Sequence, residues 1–131
     1  MGTFSKHLGP QAEAVITSCE FMTVDMQQRV CCDRVMWDTG SNATIISSRL
    51  AKRLGVEVFG KGGMDGIGGA TEGNTYLLHV LLPTGDAITY TEVIEYDFDD
   101  YDAIIGMDII TRGDFRLDSS KGETIFTFTL P

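Results

Sequence analysis

The stretch Val35–Ser41 constrains this chain more than any other, because an apolar run ends there in an acid, a hydroxyl, a glycine and a second hydroxyl. A buried strand that delivers a carboxylate into a tight turn is unfavourable unless hydrogen bonds hold that carboxylate. Gly40 permits the sharp turn, and Thr39 and Ser41 supply donors beside Asp38. The pattern predicts that the rest of the chain is a scaffold that positions Asp38.

Length and charge limit the kinds of partner. The chain has 131 residues, 43% of them hydrophobic, which suits one globular domain with its own core. Its net charge is 10 − 19 = −9, and its pI is about 4.4. Such an acidic surface disfavours nucleic acid and anionic membranes. We therefore expect neither a nucleic-acid nor a membrane partner.

Cysteine and histidine usage favours a reduced setting without a metal. The three cysteines are an odd count and lack zinc-ligand spacing, and His7 and His79 have no ligand companions. No apolar run approaches a membrane span, and the basic-then-apolar pattern of a signal peptide is missing. The sequence thus predicts a cytoplasmic protein with no cofactor and no metal.

The chain divides into a flexible N-terminal segment, residues 1–13, and one domain, residues 14–131. The first segment has glycine, proline and little pattern, which is typical of a loose end. Beyond it, β-branched and apolar stretches alternate with turns and predict about eight strands and two short helices. One helix begins at Ser47 or Ser48 and ends before Gly55. The expected fold is mostly β, a closed barrel.

A glycine-rich stretch follows that helix. Seven of the fifteen glycines lie between residues 60 and 73, which predicts a segment that bends and brings its backbone close to a ligand. A dinucleotide or phosphate loop would need a helix after it, and strand-forming residues Tyr76–Val80 follow instead. A plain flexible loop stays open as an interpretation.

Four parts, in this order, resemble the retropepsin-like aspartic proteases. They are a catalytic turn at Asp38–Ser41, a glycine-rich flap tip at Gly66–Gly69, a hydrophobic strand ending in glycine at Ala103–Gly106, and an alternating terminal strand at Thr124–Leu130. The resemblance as a whole covers roughly residues 14–130. The order is specific, whereas any one part would be a weak signal.

The chain departs from the viral members of that family at an ion pair. The viral enzymes usually carry an arginine after the strand's glycine and an acid two residues past the catalytic glycine. Met107 and Asn42 occupy those positions here, so the pattern is closer to cellular and bacterial relatives than to viral ones.

The resemblance implies a retropepsin-type β-barrel and an aspartic endopeptidase that hydrolyses extended peptides. One Asp-Thr-Gly per chain implies a homodimer, in which the two copies of Asp38 form the catalytic pair. Thr39 would hold the partner's turn, and Ser41 would favour the ionised pair as an extra donor. The flap would close over a peptide or protein substrate. The implied site residues are Asp38, Thr39, Gly40 and Ser41 in the turn, Gly66, Ile67, Gly68 and Gly69 in the flap, and Ile104, Ile105 and Gly106 in support of the turn.

Other readings remain at this stage. The residues at Asp38–Ser41 also suit an ordinary turn, and the same fold can serve as a catalytically silent peptide-binding or dimerisation module. The acidic run Asp97–Asp102 lacks the calcium-loop spacing and is expected to be a solvated loop. Trp37 is expected under the turn or at a dimer seam, and Phe126 and Phe128 are further candidates for that seam.

Overall fold

Asp38 lies where a barrel strand ends, in a computed structural model that describes residues 2–66 and 69–131. The described residues form ten strands and two short helices, so the chain is mostly β, as the sequence predicts. In chain order the elements are β1 (Gly2–Gly9), β2 (Val15–Thr23), β3 (Arg29–Trp37), β4 (Ile45–Ser47), α1 (Ser48–Leu54), β5 (Gly60–Gly66), β6 (Gly69–Leu81), β7 (Ala87–Tyr96), β8 (Ala103–Ile105), α2 (Met107–Ile110), β9 (Asp114–Asp118) and β10 (Thr124–Leu130).

Six of these strands close into a barrel. Their order is β2-β3-β8-β4-β7-β6, and β6 pairs back onto β2. The pairings β3–β8 and β4–β7 are parallel, whereas the others in the barrel are antiparallel. A closed barrel has no exposed strand edge in its wall. The predicted closed barrel is therefore confirmed.

Aromatic side chains fill the end of the barrel next to Asp38. The Trp37 ring lies 5.1 Å from the Phe126 ring and 4.9 Å from the Phe128 ring, centroid to centroid. The indole Nε1–H donates to Thr17 Oγ1 at 2.9 Å, which satisfies the polar atom that Trp37 buries. Trp37 thus packs under the turn. Phe126 and Phe128 are fully buried within one chain, so they belong to its core rather than to a seam between two chains.

Residues 2–9 are not the flexible end that the sequence predicts. They form β1, which pairs antiparallel with β10 along its whole length. Phe4 anchors the strand, because its ring lies 5.6 Å from Phe126 in an edge-on contact and 5.9 Å from Trp37. The prediction of a flexible segment was wrong because it rested on the nearby glycines and proline. The strand that β1 pairs with, β10, lies at the other end of the sequence and gives no local signal.

Helix α1 begins and ends where the sequence predicts. Ser47 caps its N-terminus, with its hydroxyl oxygen accepting from Leu50 N at 3.1 Å. Gly55 ends it in the left-handed conformation, at φ 62°. Leu50 and Leu54 are buried, so one face of this short helix packs against the barrel.

The glycine-rich stretch forms a hairpin of β5 and the first part of β6. Its register runs from Gly60 opposite Thr75 to Gly66 opposite Gly69. The expected tip residues Ile67 and Gly68 lie outside the described residues. At the base of the hairpin, a Cβ on Gly73 would stand 2.6 Å from the Glu95 carbonyl oxygen. Glycine therefore allows the hairpin to lie directly on the end of β7.

The acidic run Asp97–Asp102 is a loop with Asp97, Asp99 and Asp100 exposed, as the sequence predicts, but its last residue is bound to the barrel. The Asp102 N–H donates to the Arg34 carbonyl oxygen at 2.8 Å, and its carboxylate accepts from Arg49 at 3.0 Å. The Arg34 guanidinium also lies 5.4 Å from the centroid of the Tyr101 ring. These contacts set the path of the chain into β8. Within residues 2–66 and 69–131, no helix has the length and apolarity to cross a membrane.

Candidate active site

Hydrogen bonds hold Asp38 at its backbone and at its side chain. Its backbone N–H donates to the Ile105 carbonyl oxygen at 2.9 Å, which ties the residue to the end of β8. Its Oδ1 accepts from the Gly40 N–H at 2.8 Å. The side chain is half-buried, so a carboxylate oxygen remains accessible to a ligand. This arrangement suits a group that must be both fixed and reachable.

The other polar turn residues, Thr39 and Ser41, differ in exposure and in their hydrogen bonds. Thr39 is exposed, so its side chain is available to a second molecule. The Ser41 N–H donates to the Asp38 carbonyl oxygen at 3.2 Å and closes the turn. The Ser41 hydroxyl donates to the Ala43 carbonyl oxygen at 2.7 Å. A hydroxyl has one proton to donate, so the expected donation from Ser41 to the Asp38 carboxylate is wrong for this structure.

Strand β8 lies beside the strand that carries Asp38. Its register places Ile104 opposite Met36 and Ile105 opposite Trp37. Immediately after β8, Gly106 packs so tightly that a Cβ there would stand 2.4 Å from the Ala43 carbonyl oxygen. A side chain at position 106 would therefore push the Asp38 turn out of place.

Backbone hydrogen bonds join the start of α2 to the loop after Asp38. Met107 N donates to the Ser41 carbonyl oxygen at 2.7 Å, and Asp108 N donates to the Asn42 carbonyl oxygen at 3.2 Å. Met107 and Asn42 are the positions at which the viral ion pair is absent. The two segments are thus held together by main-chain contacts that do not depend on those side chains.

Asp108 adds a side-chain contact that the sequence analysis missed. Its Oδ1 accepts from Thr44 Oγ1 at 2.8 Å, and its Oδ2 accepts from the Thr44 N–H at 3.0 Å. Thr44 is fully buried, and its Oγ1 in turn accepts from the Gly106 N–H at 3.3 Å. The two residues lie 64 positions apart, and no short motif signals such a pair. Their shared effect is to fix the loop that follows Asp38.

A cleft of about 270 Å³ lies over the carboxylate. Asp38 and Gly40 line one side, and Gly63 of β5 lines it from the hairpin. The structure therefore brings the predicted turn and the predicted hairpin to the same cavity. The apolar side chains that line it are Ala43, Ile45 and Ile94.

The described residues suggest no metal chemistry at this cleft. Within residues 2–66 and 69–131, no group of three or more histidine, cysteine or acidic side chains is arranged to hold a metal ion. Gly66 and Gly69, the described residues of the expected flap tip, form the last pair of the hairpin ladder. Asp38, Ser41 and Asn42 are the residues with polar side chains that line the cleft.

Comparison with solved structures identifies the fold. The crystal structure of a retropepsin-like aspartic protease from Rickettsia conorii matches with a TM-score of 0.62 and 15% sequence identity, covering 96% of this chain and 92% of that one. The retroviral protease-like domain of Ddi1 from Leishmania major gives a TM-score of 0.48 and 19% identity, covering 92% of this chain and 96% of that one. No protein-family model and no curated protein sequence matches the chain. The chain has the retropepsin fold, as the resemblance implies, and at this identity the likeness concerns the fold.

Proposed function

We propose that this protein is an aspartic endopeptidase whose active form is a homodimer. The observation that carries the proposal is the position of Asp38, a half-buried carboxylate fixed by the Gly40 N–H and facing a cleft that the hairpin covers at Gly63. Peptide hydrolysis by carboxylates needs two of them at one site. The chain has one Asp-Thr-Gly sequence, so the second carboxylate comes from another copy.

In the proposed reaction the two Asp38 carboxyl groups share one proton. The ionised group takes a proton from a water molecule, whose oxygen attacks the scissile carbonyl carbon, while the protonated group gives its proton to the carbonyl oxygen. The tetrahedral intermediate then loses the amine, whose nitrogen takes the proton from the group that became protonated in the first step. The other group takes back a hydroxyl proton of the intermediate as the new carboxyl group forms. Because the two carboxyl groups exchange forms in the first step and return to their starting forms in the second, the titration belongs to the pair and not to one residue.

The turn and the hairpin have supporting roles in this proposal. Thr39 is exposed and reaches the turn of the second copy. Gly40 keeps its N–H on the Asp38 carboxylate. The hairpin, with Gly66, Ile67, Gly68 and Gly69 at its end, acts as a flap that excludes water and adds backbone hydrogen bonds to an extended substrate.

The proposed substrate is an extended peptide with an apolar side chain beside the scissile bond. Ala43, Ile45 and Ile94 form the apolar wall of the cleft, and burying a substrate side chain against them removes apolar surface from water. The dimer contact lies near Thr39 rather than along β10, because β10 already pairs with β1 on one edge and β9 on the other.

We also infer a cytoplasmic location from the thiols. Cys19, Cys31 and Cys32 are free, and Cys31 is exposed. An exposed free thiol persists in a reducing compartment and is readily oxidised outside one. Cell fractionation with an antibody to the protein tests this, and recovery outside the cytoplasm contradicts it.

The decisive experiment compares cleavage of a diverse peptide library between pH 4 and 7 by the wild type, Asp38→Asn and Asp33→Asn. Asp33 is an exposed acid on β3, the strand that ends just before Asp38, and it gives a matched control for the loss of one charge. We expect cuts by the wild type and by Asp33→Asn, next to apolar residues, and none by Asp38→Asn.

Cleavage by Asp38→Asn at the wild-type rate contradicts the proposal. Sedimentation at the assay concentration shows whether the wild type is dimeric. Peptide binding without cleavage by a proven dimer assigns the protein to a silent peptide-binding module on the same fold.

A further inference from the structure

A second groove lies on the outside of the barrel, apart from the cleft at Asp38. It measures about 430 Å³ and lies between the turn after β2 and the segment that joins α1 to β5. Val24 lines it from the first side, Val58 and Phe59 line it from the second, and Leu77 of β6 also contributes. None of its lining residues lines the cleft at Asp38, so its occupant need not be in the active site.

Large apolar side chains are exposed at this groove. Val58 is 54% exposed and Phe59 is 60% exposed, and Val24 is also among the exposed residues of this size. Most large apolar side chains of the described residues are buried in the barrel core. A cluster of exposed ones around a concave surface is typical of a binding site.

The groove is acidic as well as apolar. Asp25 and Glu57 are among its lining residues, which include no lysine or arginine. Glu92 on β7 lies directly opposite Leu77 in the register, and residues opposite one another on neighbouring strands place their side chains on the same face. A third carboxylate therefore flanks the groove.

The wall formed by residues 56–58 also has unused backbone groups. This segment belongs to no strand, and the next amide, that of Phe59, donates to the Thr75 carbonyl oxygen at 2.7 Å. Among the described residues, the N–H groups of Val56, Glu57 and Val58 make no hydrogen bond. Such a segment can pair with an added extended chain.

We propose that this groove docks an extended segment of a partner protein in which apolar side chains alternate with lysine or arginine. The apolar side chains pack on Val58, Phe59 and Leu77, the cations lie beside Asp25 and Glu57, and the backbone pairs with residues 56–58. The proposal goes beyond peptide hydrolysis and does not depend on it. Because Phe59 immediately precedes β5, the bound segment lies at the base of the hairpin that lines the cleft.

The test measures binding of three fluorescein-labelled octapeptides by fluorescence anisotropy. In the first, lysine alternates with phenylalanine and valine. The second has glutamate in place of lysine, and the third has serine in place of the apolar residues. The Asp38→Asn variant of the 131-residue chain is used so that no probe is cleaved. We expect the first peptide to bind, and the other two to bind about tenfold or more weakly.

Two pairs of matched variants locate the binding. Glu57→Lys and Phe59→Ser are expected to weaken the first peptide about tenfold. Glu13→Lys makes the same charge change at an exposed site outside the groove, and Leu117→Ser removes another exposed apolar side chain. Both controls are expected to bind within about twofold of the parent. Trp37 fluorescence verifies that each variant is folded.

Four results overturn the proposal. The first is equal binding of the lysine and glutamate peptides. The second is wild-type affinity in both Glu57→Lys and Phe59→Ser, which places the peptide elsewhere. The third is no binding of the first peptide up to about 1 mM. The fourth is conversion of a dimer to a monomer by Phe59→Ser in sedimentation, which assigns the groove to a second copy of the chain.

Discussion

Two hydrogen bonds join Thr44, in the loop after Asp38, to the Asp108 carboxylate. The Thr44 hydroxyl and backbone N–H donate to the two carboxylate oxygens of Asp108, at 2.8 and 3.0 Å. Thr44 is fully buried, so water cannot easily replace either bond. The loop that sets the position of Asp38 therefore depends on an acid at the start of α2.

Asp108→Ala is expected to lower the free energy of unfolding by about 2–4 kcal/mol, because two buried donors lose their acceptors. Asp108→Asn keeps one oxygen and is expected to cost less. Urea unfolding followed by Trp37 fluorescence measures both. Asp97→Ala, at an exposed acid, serves as the control and is expected to stay within about 0.5 kcal/mol. An unchanged midpoint for Asp108→Ala contradicts the role given to this contact.

Gly106→Ala is expected to destabilise the protein by about 1–3 kcal/mol and to reduce peptide cleavage, since the added Cβ overlaps the Ala43 carbonyl oxygen. For stability, Gly63→Ala is the matched control, because a Cβ at Gly63 meets no atom within 4 Å. Thermal unfolding compares these two variants, and a cleavage assay compares Gly106→Ala with the wild type. Equal stability of both would show that the chain behind the turn tolerates the extra atom.

Thr17→Val is expected to cost about 1–3 kcal/mol, because it leaves the buried Trp37 indole N–H without its acceptor. Thr17→Ser keeps the hydroxyl and is expected to lose less stability. Chemical denaturation measures both variants. If valine and serine behave alike, the hydrogen bond to the indole contributes nothing and only the packing at Thr17 matters.

Phe4→Ala is expected to lower the free energy of unfolding by about 1–3 kcal/mol, because Phe4 attaches β1 to Trp37 and Phe126. The same change should make the first residues more sensitive to limited proteolysis. Lys6→Ala, at an exposed position of the same strand, provides the comparison. Wild-type resistance to protease in Phe4→Ala would mean that β1 is held by its backbone pairing to β10 alone.

The three thiols are expected to react very differently with iodoacetamide at pH 8. Burial raises the pKa of Cys19 and of Cys32 to about 12, so both are almost entirely protonated at that pH. Cys31 is exposed. Mass spectrometry should find Cys31 labelled at least about a hundredfold faster than the other two in the folded protein. In urea all three should react at similar rates, and rapid labelling of Cys19 in the folded state would contradict its burial.

Features that depend on neighbours in the chain could be predicted from the sequence. Helix α1 follows from a serine before it and a glycine after it, and both caps are where the pattern predicts them. The terminal strand follows from its alternation, with Phe126 and Phe128 facing the core. The turn at Asp38 follows from its residue types. Each of these rests on interactions within a few positions.

Features that depend on distant partners were missed or misread. The role of Asp108 requires Thr44 to be nearby, and β1 requires a partner at the other end of the chain. The acceptor of the Ser41 hydroxyl, the Ala43 carbonyl oxygen, is set by the path of the folded loop. The groove beside Phe59 likewise arises where two separate segments meet.

The sequence by itself determined that Asp38 stands in a tight turn at the end of a buried strand, because local residue types and strand alternation are sufficient for that. It also pointed, through four ordered motifs, to the retropepsin fold. Only the tertiary structure decided which groups hold Asp38, that β1 pairs with β10, and that a hairpin residue lines the cleft at Asp38. These depend on closing long loops to bring remote segments into contact, and the free energy of that closure comes from the whole core rather than from any local pattern.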